Sequence, residues 1–126
     1  IPWETASLLT TRKNMQSKRD SVERVIRALL EGNAYIFNPA HRTRVLELLV
    51  ARLGLKGSQE AAGPYDDLVK YYVLKKPYPS RPGITNILAE LIKVVPKSEN
   101  LKYEDVTDAS IIEKLDKSGF IDGLYK

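Results

Sequence analysis

Thr5-Ala6-Ser7-Leu8-Leu9-Thr10-Thr11 is the stretch on which the fold turns. It mixes β-branched and apolar residues and has no helix cap, so it predicts a strand of modest length. No other part of the 126 residues makes a convincing strand. One strand cannot satisfy its own backbone groups, and even a two-stranded hairpin is marginal in water. The run 5–11 therefore predicts a pairing partner beyond the elements encoded here.

Everything after it reads as helix and connector. Val22, Val25, Ile26, Leu29, Leu30, Ile36 and Phe37 recur at three-and-four spacing and predict an amphipathic helix over Lys18 to Phe37, with Arg19, Glu23, Arg27 and Glu31 opposite. Asn38-Pro39 stops it, because proline disfavours helical geometry in the residue before it. The same proline can open the next helix, from Pro39 or Ala40 to Leu53, which Gly54 ends as a left-handed cap. Ser58 is the expected N-cap of a third helix, delayed or kinked at Gly63-Pro64, with Tyr65, Leu68, Val69 and Tyr72 as its buried stripe. Three prolines between Lys76 and Gly83 predict an extended connector. Ile87, Leu88, Leu91, Ile92 and Val95 predict a helix from Ile84, closed by Pro96. After a loop at Lys102 to Asp108, Ile111, Ile112 and Leu115 predict a last helix, ended by Gly119. Phe120, Ile121 and Leu124 anchor the tail.

Composition excludes several classes of function. With no cysteine there is no disulfide framework, thiolate metal site or cysteine nucleophile. The single histidine, His41, has no histidine partner for a metal and reads as a solvated or capping group at a helix start. The glycines never fall in a phosphate-loop spacing. The carboxylate pairs Asp66-Asp67, Glu104-Asp105 and Glu113 with Asp116 read as wet helix faces. A net charge of +4 permits an anionic partner, but the charges are interspersed. In Lys70-Tyr71-Tyr72-Val73-Leu74-Lys75-Lys76-Pro77-Tyr78 cations alternate with aromatics, as on a surface where bases stack. A helix turns such rings apart, so Tyr72 is expected in the core and no nucleic-acid partner is expected. No apolar run approaches the roughly twenty residues of a membrane span.

Two longer phrases carry a resemblance. Lys76-Pro77-Tyr78-Pro79-Ser80-Arg81-Pro82-Gly83-Ile84 is followed by Leu88-Ala89-Glu90-Leu91. The ending runs Asp105-Val106-Thr107-Asp108-Ala109-Ser110-Ile111-Ile112-Glu113-Lys114-Leu115-Asp116-Lys117-Ser118-Gly119-Phe120-Ile121-Asp122. Together they resemble the C-terminal end of ABC-importer substrate-binding proteins, in the nitrate, sulfonate, taurine and pyrimidine-precursor branch. Ala6 to Thr11 with Arg12-Lys13, followed by Val22 to Gly32, resembles that family's strand-then-helix return segment.

The resemblance implies an α/β fold in the intact protein: a type-two periplasmic binding protein, with two lobes around a cleft. Residues 1–126 would be its C-terminal segment, starting at the return strand 5–11. Taken alone they would be mostly α, with about five helices and one N-terminal strand. The implied function is extracytoplasmic capture of a small organic or oxyanion ligand by lobe closure, followed by delivery to a membrane permease. Its implied partners are the ligand, the ABC permease and the earlier part of the same protein. Its implied place is periplasmic or extracytoplasmic, with a lipid anchor at the absent N-terminus as one form of attachment. No enzymatic role, cofactor or metal is expected. Trp3, Glu4 and Thr5, just before the return strand, are the candidate ligand-binding residues. Two alternatives stand beside this reading: a stand-alone helical interaction or nucleic-acid-binding module, and a pyrimidine-precursor synthase-like enzyme of the same fold.

Overall fold

The computed structural model describes residues 1–4 and 6–126. It is mostly helical, and among the described residues there is no strand. Helix α1 (Arg12–Ser17) leads through Lys18 into the long helix α2 (Arg19–Phe37). Val22, Ile26 and Leu30 repeat at four-residue intervals and form one column along α2, packed on the first core. That core centres on Leu30, Ile111, Ile112, Leu115 and Ile121, supplied by α2, α7 (Ser110–Lys117) and α8 (Phe120–Gly123). Gly119, at φ +77°, makes the left-handed turn between the last two helices, so Phe120, Ile121 and Leu124 fold back onto the core as the tail anchors expected of them.

Of the predicted strand 5–11, the described residues 6–11 form no strand. Residues 6–10 have no regular structure, and Thr11 is the N-cap of α1, its Oγ1 accepting from Asn14 N–H at 3.1 Å. Thr5 lies outside the described residues. High β-propensity describes a residue's fit to a pleated surface, and the described residues include no second strand to provide one.

Asn38-Pro39 ends α2 as expected. A single 3₁₀ turn, Pro39–His41, then leads into α3 (Arg42–Leu53), which closes at Gly54 in left-handed conformation. The second core packs α3 on α4 (Ser58–Asp67) through Val45, Leu46, Ala61 and Tyr65. Helix α4 starts at Ser58 without the expected serine cap. The Gly57 carbonyl accepts from Glu60 and Ala61 N–H, while Glu60 Oε2 accepts from Lys56 N–H at 2.9 Å. Pro64 neither delays α4 nor starts it. The helix continues through Pro64 and widens into a π-turn at Leu68–Tyr72, where the hydrogen-bond register changes.

The connector is shorter than expected, because α5 (Arg81–Val94) begins three residues before Ile84. Ser80 Oγ accepts from Gly83 N–H at 3.1 Å, and Pro82 sits in the first turn, where no N–H is missed. The expected loop at 102–108 holds a one-turn helix, α6 (Tyr103–Val106), with Asp105 accepting from Lys102 N–H. Eight α-helices therefore stand among the described residues where about five were expected. None of them is long and apolar enough to cross a membrane.

Candidate functional site

Two of the three candidate ligand-binding residues can be placed. Glu4 sits at the start of α5, where its Oε2 accepts from Ser80 N–H at 2.9 Å. The Pro2 carbonyl accepts from Asn86 Nδ2 at 2.7 Å, tying the same segment to the side of α5. Trp3 is half-exposed between these ties. Gly83 allows the approach: a Cβ there would lie 2.8 Å from Glu4 N and 3.0 Å from Trp3 C. The carboxylate of Glu4 thus meets the N–H of the N-cap residue, beside the positive end of a helix dipole, a place that suits an anion. Thr5 is outside the described residues.

The densest polar cluster involves none of these residues. Lys76 Nζ lies 2.7 Å from Asp116 Oδ1 and 2.9 Å from Asp122 Oδ1, bridging α7 and α8. Tyr78 O–H donates to Asp116 Oδ2 at 2.8 Å. One residue earlier, the Lys75 ammonium stands 4.9 Å from the Tyr125 ring centre and 5.5 Å from that of Phe37. These two rings meet edge to face at 5.9 Å. Asn33 Nδ2 donates to the Leu74 carbonyl at 3.1 Å, and Tyr103 O–H to the Pro79 carbonyl at 3.1 Å. The connector is therefore clasped to α2, α6, α7 and the tail along nearly its whole length. Sequence reasoning missed this clasp because its partners lie about forty positions apart, beyond any local spacing rule.

Charge pairing sets the protonation of the clasp. The Lys76 ammonium, then the Tyr78 hydroxyl, hold the Asp116 carboxyl below the ordinary aspartate range. Asp116, then Asp122, hold Lys76 above the ordinary lysine range. Hydrogen bonding to Asp116 raises Tyr78. A carboxylate lowered in the folded state adds stability above its unfolded value of 3.8, and that stability is lost as pH falls through the lowered folded value. Asp116→Asn is expected to lower Tm at pH 7 and to flatten the acid limb of a Tm-against-pH curve below about pH 5. An acid limb identical to the parent's would show that the clasp carries no linked proton.

The other candidate groups are already engaged. His41 stacks on Tyr35 with ring centres 3.7 Å apart, and its Nδ1 lies 3.2 Å from the Tyr35 carbonyl. Asp66 pairs with Arg42, Glu104 with Arg81 and Glu113 with Lys117. No group of three His, Asp or Glu among the described residues is placed to hold a metal. Tyr72 departs from expectation. It is 65% exposed and Tyr71 is 61% exposed, with Lys70 Nζ 4.8 Å from the Tyr71 ring centre. The π-turn shifts the register after Val69, which packs on the second core, and turns Tyr72 out of the stripe.

No family model, curated protein or solved structure matches the chain.

Proposed function

We propose that the chain is the C-terminal segment of an extracytoplasmic solute-binding component of an ABC importer. It would take part in capturing a small organic or oxyanion ligand by closure of two lobes, and the loaded protein would deliver the ligand to a membrane permease. In this reading it is a binding protein and not an enzyme. Its place is periplasmic or extracytoplasmic, and the remaining lobe structure comes from further polypeptide.

One observation carries the reading: the phrase behind the family resemblance is also the phrase that organises the structure. Asp116 and Asp122 grip the connector, Gly119 makes the left-handed turn, Phe120 lies 3.9 Å beneath the Arg27 guanidinium, and Ile121 is fully buried. A surface phrase could resemble a family by chance of composition, whereas this one sets the packing of α2, α7 and α8 together. Trp3, Glu4 and Thr5 remain the proposed contribution to the cleft. Glu4 lies at the start of α5, its carboxylate accepting from Ser80 N–H.

The test has two parts. Reading the residues encoded before Ile1 is expected to reveal α/β segments and an export leader. Thermal shift of the complete gene product against nitrate, taurine, an alkylsulfonate and a pyrimidine precursor is expected to give one saturable rise. A ligand at 100 times its Kd adds about 2.7 kcal/mol. An initiating methionine close to Ile1, with no shift by any of the four, would overturn the proposal.

The exposed pair Tyr71 and Tyr72 beside Lys70 favours a second reading, a module that stacks single-stranded bases. Under the importer proposal, anisotropy with labelled oligo(dT) in low salt shows no saturable binding. Salt-sensitive binding that Tyr71→Ala and Tyr72→Ala abolish would establish the second reading instead.

A further inference from the structure

An open groove of about 390 Å³ lies between α2 and α7, lined by Asp20, Glu23, Arg24 and Arg27 from α2 and by Lys114 from α7. Arg27 is half-buried, with its guanidinium 3.9 Å over the Phe120 ring centre. Phe120 packs in turn on the first core, so the floor under Arg27 is fixed. An aromatic ring covers the face of a guanidinium and leaves the N–H donors around its edge open. Among the described residues nothing accepts from those donors, and none of them is sealed from water. Glu23, one turn earlier, is spaced to pair with Arg27, but its Oε2 takes Lys114 Nζ at 2.7 Å. That hydrogen bond, with the charges of Lys114, Arg27 and Arg19, holds the Glu23 carboxyl below the ordinary glutamate range, so the pair stays ionised. Arg24 donates to Ser21 Oγ at 3.2 Å and has no carboxylate within ion-pair distance among the described residues. Asp20, the remaining acid, stands about 10 Å of helix rise from Arg27, roughly a Debye length.

We infer that this groove is a phosphate-binding site, in which the edges of Arg27 and Arg24 hold a phosphate group, free or carried on a small ester. The arginine edge offers two parallel N–H groups to a pair of oxygens. A carboxylate has only that pair and would leave Arg24 unmet. A phosphate monoester has three terminal oxygens, one of them left for Arg24, and its charge of about −1.5 to −2 at neutral pH matches two arginines without carboxylate partners. Arg24 and Arg27 are three residues apart, on one side of α2, so both reach one ligand. The stack on Phe120 fixes the fork before the ligand arrives, which lowers the ordering cost of binding. The groove is far larger than a phosphate ion and lies within the roughly 300–1,000 Å³ of small-molecule sites, which leaves room for the organic part of an ester. Trp3 and Glu4 take no part in it. The site therefore stands apart from the proposed ligand cleft and does not depend on the transport reading.

Side-chain NMR of the complete gene product tests the site, following the arginine Nε–H signals at about pH 7.5 and constant ionic strength, where most of a phosphate monoester is dianionic. Phenyl phosphate is expected to move the Arg27 and Arg24 signals along one saturating curve. Arg27→Lys keeps the charge but loses the fork, and should weaken binding at least about tenfold. Phe120→Leu removes the ring beneath Arg27 and should weaken binding about threefold. Arg24→Gln, at an exposed position where folding is not at stake, should also weaken it at least about threefold. Inorganic phosphate binding as tightly as phenyl phosphate would assign the site to free phosphate, and tighter binding of phenyl phosphate would assign it to an ester. Acetate moving the same signals with equal affinity would overturn the inference. So would phosphate shifts that never saturate, or an affinity unchanged in both Arg27→Lys and Arg24→Gln.

Discussion

Ile121→Ala is expected to lower the unfolding free energy by about 3 kcal/mol, within the range of roughly 2–5 for such truncations in cores. Ile121 is fully buried and packs among Leu30, Ile111, Ile112 and Leu115. It lies on α8, a helix of four residues, which is too short to hold itself in place. Ile121 is the one fully buried side chain on α8, with Phe120 and Leu124 only partly buried beside it. The truncation removes the buried contacts and leaves a cavity that α7 cannot fill without moving Leu115. It also loosens Asp122, one of the two carboxylates on Lys76. With a urea m-value of about 1–3 kcal/mol/M, the midpoint should fall by roughly 1–3 M. Ile121→Val keeps most of the volume and should cost about 1 kcal/mol. A loss for Ile121→Ala no larger than that for Ile121→Val would mean that α8 is only loosely docked.

Periodicity worked where one helix meets one core. The alternation of three and four in Val22 to Phe37 marks α2 to within one residue, and Asn38-Pro39 and Gly54 mark real ends. It also told which residues are apolar but not which of them would be covered, and α2 buries one of its two columns. The run 5–11 shows the limit from the other side. Its residues suit a pleated surface, but a strand exists only with a neighbour, so propensity alone could not place one here. At Ser80-Arg81-Pro82-Gly83 the prolines suggested extension, while the serine cap and a proline in the first turn are equally the signature of a helix start. The π-turn after Pro64 shifted Tyr72 outward by a change in hydrogen-bond register that leaves no periodic trace. Of the candidate site, Glu4 was legible only as a position near the chain corner. Its partner, Ser80, is 76 residues away, a pairing that only the folded chain can display.

Gly83→Val opposes two effects of different sign. Glycine inside a helix costs about 0.5–1 kcal/mol relative to alanine, so helix propensity alone predicts that a side chain at position 83 stabilises α5. Packing predicts the reverse. The first carbon of any side chain would stand 2.8 Å from Glu4 N, 3.0 Å from Trp3 C and 3.0 Å from Ser80 Oγ. Two of these are backbone atoms and cannot rotate away, and valine's further methyl groups enlarge the overlap. Relief comes when residues 1–4 lift off α5, breaking the bonds of Ser80 N–H to Glu4 and of Asn86 to Pro2. Because this segment can detach as a unit, the loss is limited to what its attachment contributes. At roughly 1 kcal/mol for each of two hydrogen bonds, plus the partial burial of Trp3, that is about 2–3 kcal/mol before the propensity gain. The expected net loss is about 2 kcal/mol. Trp3 is the single tryptophan, so its emission should move to the red as it enters water, while far-ultraviolet circular dichroism holds steady because α5 persists. Gly83→Ala should show the same emission change with a smaller loss of stability. A variant that gains stability with unchanged Trp3 emission would mean that the corner formed by Trp3, Glu4 and the start of α5 is not closed in solution, and the proposed ligand-binding role of these residues would fall with it.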